Sequence, residues 1–198
     1  MALRKKIKLI VVTSLILSVI ACSLSSETRD ASIKIPVFDP QKLNAEILRY
    51  KSWKLVNPRP EKMAPEVEAA CADVRKSKIL GNPHRDKYIR VYVNETGRNA
   101  MFQEFDPKFP TGSVIVKEKL PDENSEVPEF YTIMVKRENG FDPVNGDWQY
   151  LTMDKSRSKI EESRIADNQL SCQSCHMSYK DRSDYVSREY LRFGEHKY

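Results

Sequence analysis

Tyr88-Ile89-Arg90-Val91-Tyr92-Val93-Asn94 decides the architecture. The stretch alternates, and β-branched and aromatic side chains dominate it, as a pleated and half-buried strand requires. Upstream, beyond the turn Gly81-Asn82-Pro83, the period is helical. Asp39-Pro40 sets an N-cap before proline at the first helical position, and Leu43, Ile47 and Leu48 predict a helix over 40–51. Pro65 opens a second helix, with Val67, Ala70, Cys71 and Val74 at i, i+3, i+4 and i+7. Cys71 reads there as a buried core thiol, with a redox or metal role as the alternative. Downstream, Asn99–Phe105 reads as a short helix, and Ser113–Leu120, Phe130–Lys136 and Asp147–Met153 read as strands. The last two are joined through the turn dipeptides Asn139-Gly140 and Asn145-Gly146. Residues 121–128 and 154–168 read as charged loops. Helices followed by consecutive strands predict an α+β fold, an antiparallel β-sheet with flanking helices.

The 198 residues, 40% hydrophobic and 31% charged, have globular composition and suffice for one domain with a true core. The formal charge of +5 comes from 33 basic and 28 acidic residues. Taking away the four basic residues of the first 21 (Arg4, Lys5, Lys6 and Lys8, with no acid among them) leaves +1. A nearly neutral chain argues against nucleic acid as the partner. The one long apolar run, Leu9–Ala21, is too short for the ~20 residues of a spanning helix but suits the core of a signal peptide. It ends in Val19-Ile20-Ala21-Cys22, which resembles a bacterial lipobox. That resemblance implies cleavage before Cys22 and its lipidation, so the domain is expected outside the cytoplasm, held on a membrane surface. Ser23 after the cysteine, in place of Asp, leans toward the outer membrane by the same resemblance. The expected organisation is a lipoprotein signal peptide over 1–21, a polar tether over 22–38 and a single domain over 39–198.

The chemistry sits near the C-terminus. Cys172-Gln173-Ser174-Cys175-His176 is the attachment motif of c-type haem: two thiols add to the two vinyl groups, and the adjacent histidine reaches the iron. A Cys-x-x-Cys dithiol is the main competitor, and it leaves His176 unexplained. A structural zinc site would need a fourth ligand, and neither other histidine, His84 or His196, sits in a recognisable ligand pair. Only Met177 follows the motif, too close in sequence to reach the other haem face. Met101, Met134 and Met153 are upstream candidates, though methionines at strand spacing are usually core. The sixth iron position is therefore expected to be open, with an electron-transfer cytochrome c carrying a sixth protein ligand as an alternative.

An ordered set of stretches resembles the cytochrome P-460 family, which includes the NO-binding cytochromes c-prime-beta. The set comprises Arg90–Asn94, Phe109–Glu118, Tyr131–Arg137, Gly146-Asp147-Trp148, the haem motif and Ser183-Asp184-Tyr185-Val186. The resemblance implies a mostly β fold with flanking helices, often a homodimer, and a five-coordinate haem that binds or oxidises hydroxylamine or nitric oxide and passes electrons to an exported acceptor. It also implies a role for Lys117: in P-460 enzymes a lysine after this Phe-x-x-Gly turn is bonded to a meso carbon of the porphyrin, whereas the c-prime-beta relatives lack it. Alternation puts Ile115, Lys117 and Lys119 on one strand face, so Lys119 is the fallback. A lysine facing a haem pocket is desolvated, and its neutral amine becomes a nucleophile.

Thr132 stands where hydroxylamine-oxidising members carry a pocket carboxylate. Threonine is no base at neutral pH, a departure that separates turnover from simple ligand binding. Glu129 and Glu118 are possible substitutes, although Glu129 precedes the strand and Glu118 points away from Lys117. Arg90 is a candidate distal charge, with a solvated arginine as the alternative. Asp184-Tyr185-Val186 is read as opening a terminal helix, with Asp184 as its cap or as a partner of the proximal ligand. Trp148 and Tyr131 read as core aromatics, and Lys136-Arg137 as a solvated strand end.

Overall fold

The computed structural model describes residues 39–65, 67, 85–163 and 172–193. The expected signal peptide, Cys22 and the tether lie outside the described residues, as do Cys71, His84 and His196. Of the helix expected from Pro65, only Pro65 and Val67 are described, both helical.

Helix α1 (Pro40–Ile47) starts where the sequence places it: Asp39 accepts hydrogen bonds from the N–H groups of Gln41 (2.9 Å) and Lys42 (3.3 Å). It buries Leu43 and Ile47. The helix stops short of Lys51, and the chain tightens into a 3-10 turn at Tyr50–Ser52. That turn lets Trp53 swing to extended geometry and enter a strand.

Seven antiparallel strands form one sheet: β1 (Lys54–Leu55), β2 (Glu61–Lys62), β3 (Tyr88–Val93), β4 (Val114–Leu120), β5 (Phe130–Lys136), β6 (Trp148–Asp154) and β7 (Ile160–Glu162). Their order is β1-β3-β4-β5-β6-β7, and β2 also pairs with β3. The four long strands match the alternation in the sequence to within a residue at each end. The three short ones are additions that pattern alone does not show. β1 and β2 are two halves of one outer strand, split at Pro58 and Pro60. Asn57 fills the break: its side-chain oxygen accepts the Val91 N–H (2.8 Å) and its amide donates to the Ile89 carbonyl (2.9 Å), standing in for a backbone pair.

Helix α2 (Glu95–Phe102) begins earlier than the helix expected at Asn99, because Asn94 acts as its N-cap, accepting from the Gly97 N–H at 3.1 Å. Gly97 is required by contact: a Cβ there would lie 2.9 Å from Val93 Cγ2 and 3.0 Å from Ser113 Cβ.

Each sheet face is buried. One face carries Val91, Val93, Ile115, Met134, Trp148 and Tyr150, covered by Met101 of α2, Phe109, Tyr185 and Val186. The other carries Tyr92, Val114, Val116, Tyr131, Ile133 and Leu151, covered by Leu43, Ile47 and Tyr50. Among the described residues, no helix is long and apolar enough to cross a membrane.

Candidate haem site

The Cys-x-x-Cys-His sequence folds as helix α3 (Cys172–Met177), followed by α4 (Lys180–Ser183). Helical spacing places Cys172, Cys175 and His176 at i, i+3 and i+4, on one side. Neither cysteine is in a disulfide. Cys172 packs against the first core, and its sulfur lies 3.3 Å from Ser163 Oγ. Burial pushes the Cys172 thiol pKa up.

The His176 ring stands 5.1 Å from that of Tyr150 and 6.3 Å from that of Tyr179. Its Nδ1 lies 2.6 Å from the Tyr185 carbonyl oxygen. A carbonyl only accepts, so Nδ1 carries the proton and Nε2 keeps its lone pair for a metal. The residue is half-buried, and the atoms packed around its ring desolvate it. That desolvation, followed by the charge of Lys117, pushes the imidazole pKa down to about 3. The ring is thus neutral, the form that binds a metal.

Lys117 lies on the same sheet face as Ile115, as alternation requires. Its Nζ is 3.5 Å from the Ser187 carbonyl and 5.3 Å from the centre of the Tyr190 ring. The residue as a whole is half-buried, and its ammonium is crowded. Desolvation lowers its pKa to about 8, against an opposing effect from Glu189. Register sets Thr132 directly opposite Lys117, and Thr152 opposite Thr132. These three are half-buried, a stripe across three strands that their neighbours do not cover completely. Lys119, two residues along the same face, is wholly buried with Nζ 3.8 Å from Met63 Sδ, and its charge reaches both Cys172 and His176.

Two buried oxygens, Tyr150 Oη on β6 and Gln173 Oε1 on α3, have no hydrogen-bond partner among the described residues. An unmet buried polar atom costs about 1–3 kcal/mol, which a bound group can relieve. With two thiols and a neutral imidazole on one side of a helix, these residues fit a haem.

The structure does not bring Arg90 to this site. It is on the opposite face, its Nη1 and Nη2 donating to Glu126 at 2.8 and 3.0 Å, because strand alternation aligns it with Glu118 and away from Lys117. Glu118 is buried on that far side and Glu129 pairs with Lys87, so neither stands in for the pocket carboxylate. Met153 also belongs to the far face, while Met101 and Met134 are buried core. Asp184 does not bond His176, and it ends α4 instead of opening a helix: Asp184 and Tyr185 both have left-handed backbone (φ 49° and 67°). Lys136 is not solvated either, being bonded to Asp184 at 2.9 Å. Sequence reasoning missed Tyr150, although the alternation that puts Trp148 inward does the same for Tyr150.

These features define a class: an antiparallel-sheet protein with a Cys-x-x-Cys-His helix docked on one sheet face beside the half-buried Lys117 and the buried Lys119. A family model described as cytochrome P460 matches residues 48–187. The chain belongs to the cytochrome P460 family, and haem is its cofactor. No curated protein matches the chain.

Proposed function

We propose that this is an extracytoplasmic haem c protein of P460 type whose iron, held by His176, binds hydroxylamine or nitric oxide at an open position. The observation that carries this reading is the convergence of Cys172, neutral His176 and a desolvated Lys117 on one side of the sheet. Haem, when bound, supplies an iron that takes a small nitrogen ligand and exchanges electrons. The chain supplies the rest. Cys172 and Cys175 would hold the haem through thioethers to its two vinyl groups. The Tyr185 carbonyl fixes the imidazole so that Nε2 is the ligating atom. With a pKa near 8, the Lys117 amine is partly neutral at neutral pH, the form that takes a proton and that would serve as the nucleophile of a crosslink, whose closure would replace a meso C–H by C–N and so would need a two-electron oxidant from outside the chain. The Thr132 and Thr152 hydroxyls can hydrogen-bond a small ligand, but neither accepts a proton at neutral pH.

Thr132 favours a second reading, binding of nitric oxide without turnover, since the stripe Lys117–Thr132–Thr152 contains no carboxylate. The N-terminal basic, apolar and Cys22 segments support export and lipid anchoring, with an exported redox protein as electron partner and a homodimer as the assembly. Precursor accumulation under globomycin tests the anchor.

A pyridine haemochrome spectrum and intact mass of protein matured with haem-attachment machinery test the main reading. A c-type band with haem mass retained is expected, and colourless protein with both thiols alkylatable overturns it. Comparing the visible spectrum with that of Lys117→Leu tests the crosslink: a changed spectrum is expected, and identical spectra remove it. Hydroxylamine turnover with an electron acceptor then separates oxidation from binding.

A further inference from the structure

The turn that orients His176 is itself held by a charged pair on the sheet. Asp184 and Tyr185 are consecutive non-glycine residues in the left-handed region, a conformation that persists only where the surroundings enforce it. Here the enforcement is dense. Lys136 Nζ, on β5, lies 2.9 Å from each Asp184 carboxylate oxygen, and the Phe109 N–H donates to Oδ2 at 2.9 Å. Trp148, the cross-strand partner of Lys136, donates its indole N–H to the Asp184 carbonyl at 2.8 Å. The Tyr185 hydroxyl donates to the Val144 carbonyl at 3.1 Å, and its ring lies over Gly146, where a Cβ would come within 2.3 Å. Lys136 and Asp184 are only 14% and 11% exposed, so water competes little for their pairing.

The next backbone carbonyl along is that of Tyr185, whose oxygen accepts from His176 Nδ1 at 2.6 Å, well inside the usual 2.9–3.0 Å for N–H···O. A strong hydrogen bond at Nδ1 makes an imidazole a better donor through Nε2. We propose that Lys136 and Asp184 form a positioning pair which, through the Tyr185 carbonyl, sets how strongly His176 binds its metal. The inference rests on His176 being the haem ligand. It assigns to a strand lysine and a turn carboxylate, neither of which touches the imidazole, a share in tuning the iron.

The test uses the full-length holoprotein and reads the iron–histidine stretching band of the ferrous form by resonance Raman, with the midpoint potential alongside. Asp184→Asn keeps the side-chain shape and loses the charge. Lys136→Met loses the charged partner, and Lys136→Arg restores it. Both charge-removing variants are expected to lower the band frequency and make the potential more positive, because a slackened turn weakens the Nδ1 bond and with it the histidine as a donor. Lys136→Arg is expected to stay near wild type. Wild-type haem with its histidine band, and the same band in Asp184→Asn and Lys136→Met, overturns the positioning role and leaves the haem reading intact. Wild type without haem overturns both. A purely structural pair would lower melting temperature in these variants without moving the band.

Discussion

Lys117 and Glu118 are neighbours in the chain and opposites in the fold. Glu118 enters the face covered by α1, where it is wholly buried: the Tyr50 hydroxyl and Lys51 Nζ (2.5 Å) meet its Oε1, while Oε2 has Arg90 Nη1 at 3.8 Å but no hydrogen bond. Tyr50 packs edge-on against Tyr92 and Tyr131, which closes the cluster. Lys117 enters the other face, where its ammonium has a long contact to a carbonyl and a tyrosine ring, and where Tyr150 Oη is unmet among the described residues. A charge answered from within serves stability, because removing one partner strands the rest. What sets the Lys117 side apart is the thiol pair and the neutral imidazole of α3, the groups that suit it to a bound cofactor.

Mutations can break this contrast, and the largest effect belongs to the open face. His176→Ala is expected to abolish holoprotein, read as loss of the haem-stained band, whereas Arg90→Gln leaves the band and the visible spectrum unchanged; a spectral change in Arg90→Gln would contradict the separation of the faces. Next comes the closed face. Glu118→Gln removes the buried carboxylate that Lys51 and the Tyr50 hydroxyl face, while Arg90 keeps Glu126, and is expected to cost about 1–3 kcal/mol in urea unfolding, with no movement of the haem bands. Gly146→Ala touches the boundary of the haem side: its new Cβ meets the Tyr185 ring on a backbone of φ +64°, and a loss of about 1–3 kcal/mol is expected from the same unfolding measurement.

The smallest effect lies at the exposed rim of the closed face. Hydrogen bonds from Arg90 hold the Glu126 carboxyl below its ordinary 4.5. Its contribution is complete above pH 4.5 and fades as the pH falls through the lower folded value. Glu126→Gln should therefore flatten a slight slope of melting temperature on the acid side, and high salt should flatten it equally, since the group is solvent-exposed.

The long strands were legible because alternation survives wherever one side of a strand differs from the other, and the haem motif because covalent attachment demands fixed spacing. β1 and β2 were not, since two residues carry no period and the piece that joins them is a side chain. Arg90 was misplaced for a different reason. Alternation says which residues share a face but not which face meets α3; only its alignment with Glu118 in the folded sheet decides that. The partner of His176 escaped because it is a backbone oxygen, exposed by a left-handed turn in residues that ordinarily avoid one. Lys136 looked like a solvated strand end because its counter-charge is 48 positions away.

Asn57 carries a consequence for how copies of this protein can meet. With β1, the Asn57 amide and β2 laid end to end along β3, the outer rim of the sheet is a broken line: two-residue pieces interrupted at Pro58 and Pro60. A foreign strand zipping on there would find no continuous row of backbone donors and acceptors. The far rim, β7, is three residues long and carries exposed Glu161 and Glu162. Short, proline-bearing and charged borders are how sheets resist indefinite stacking. Any self-association is thereby steered to side-chain surfaces and away from continuation of the sheet.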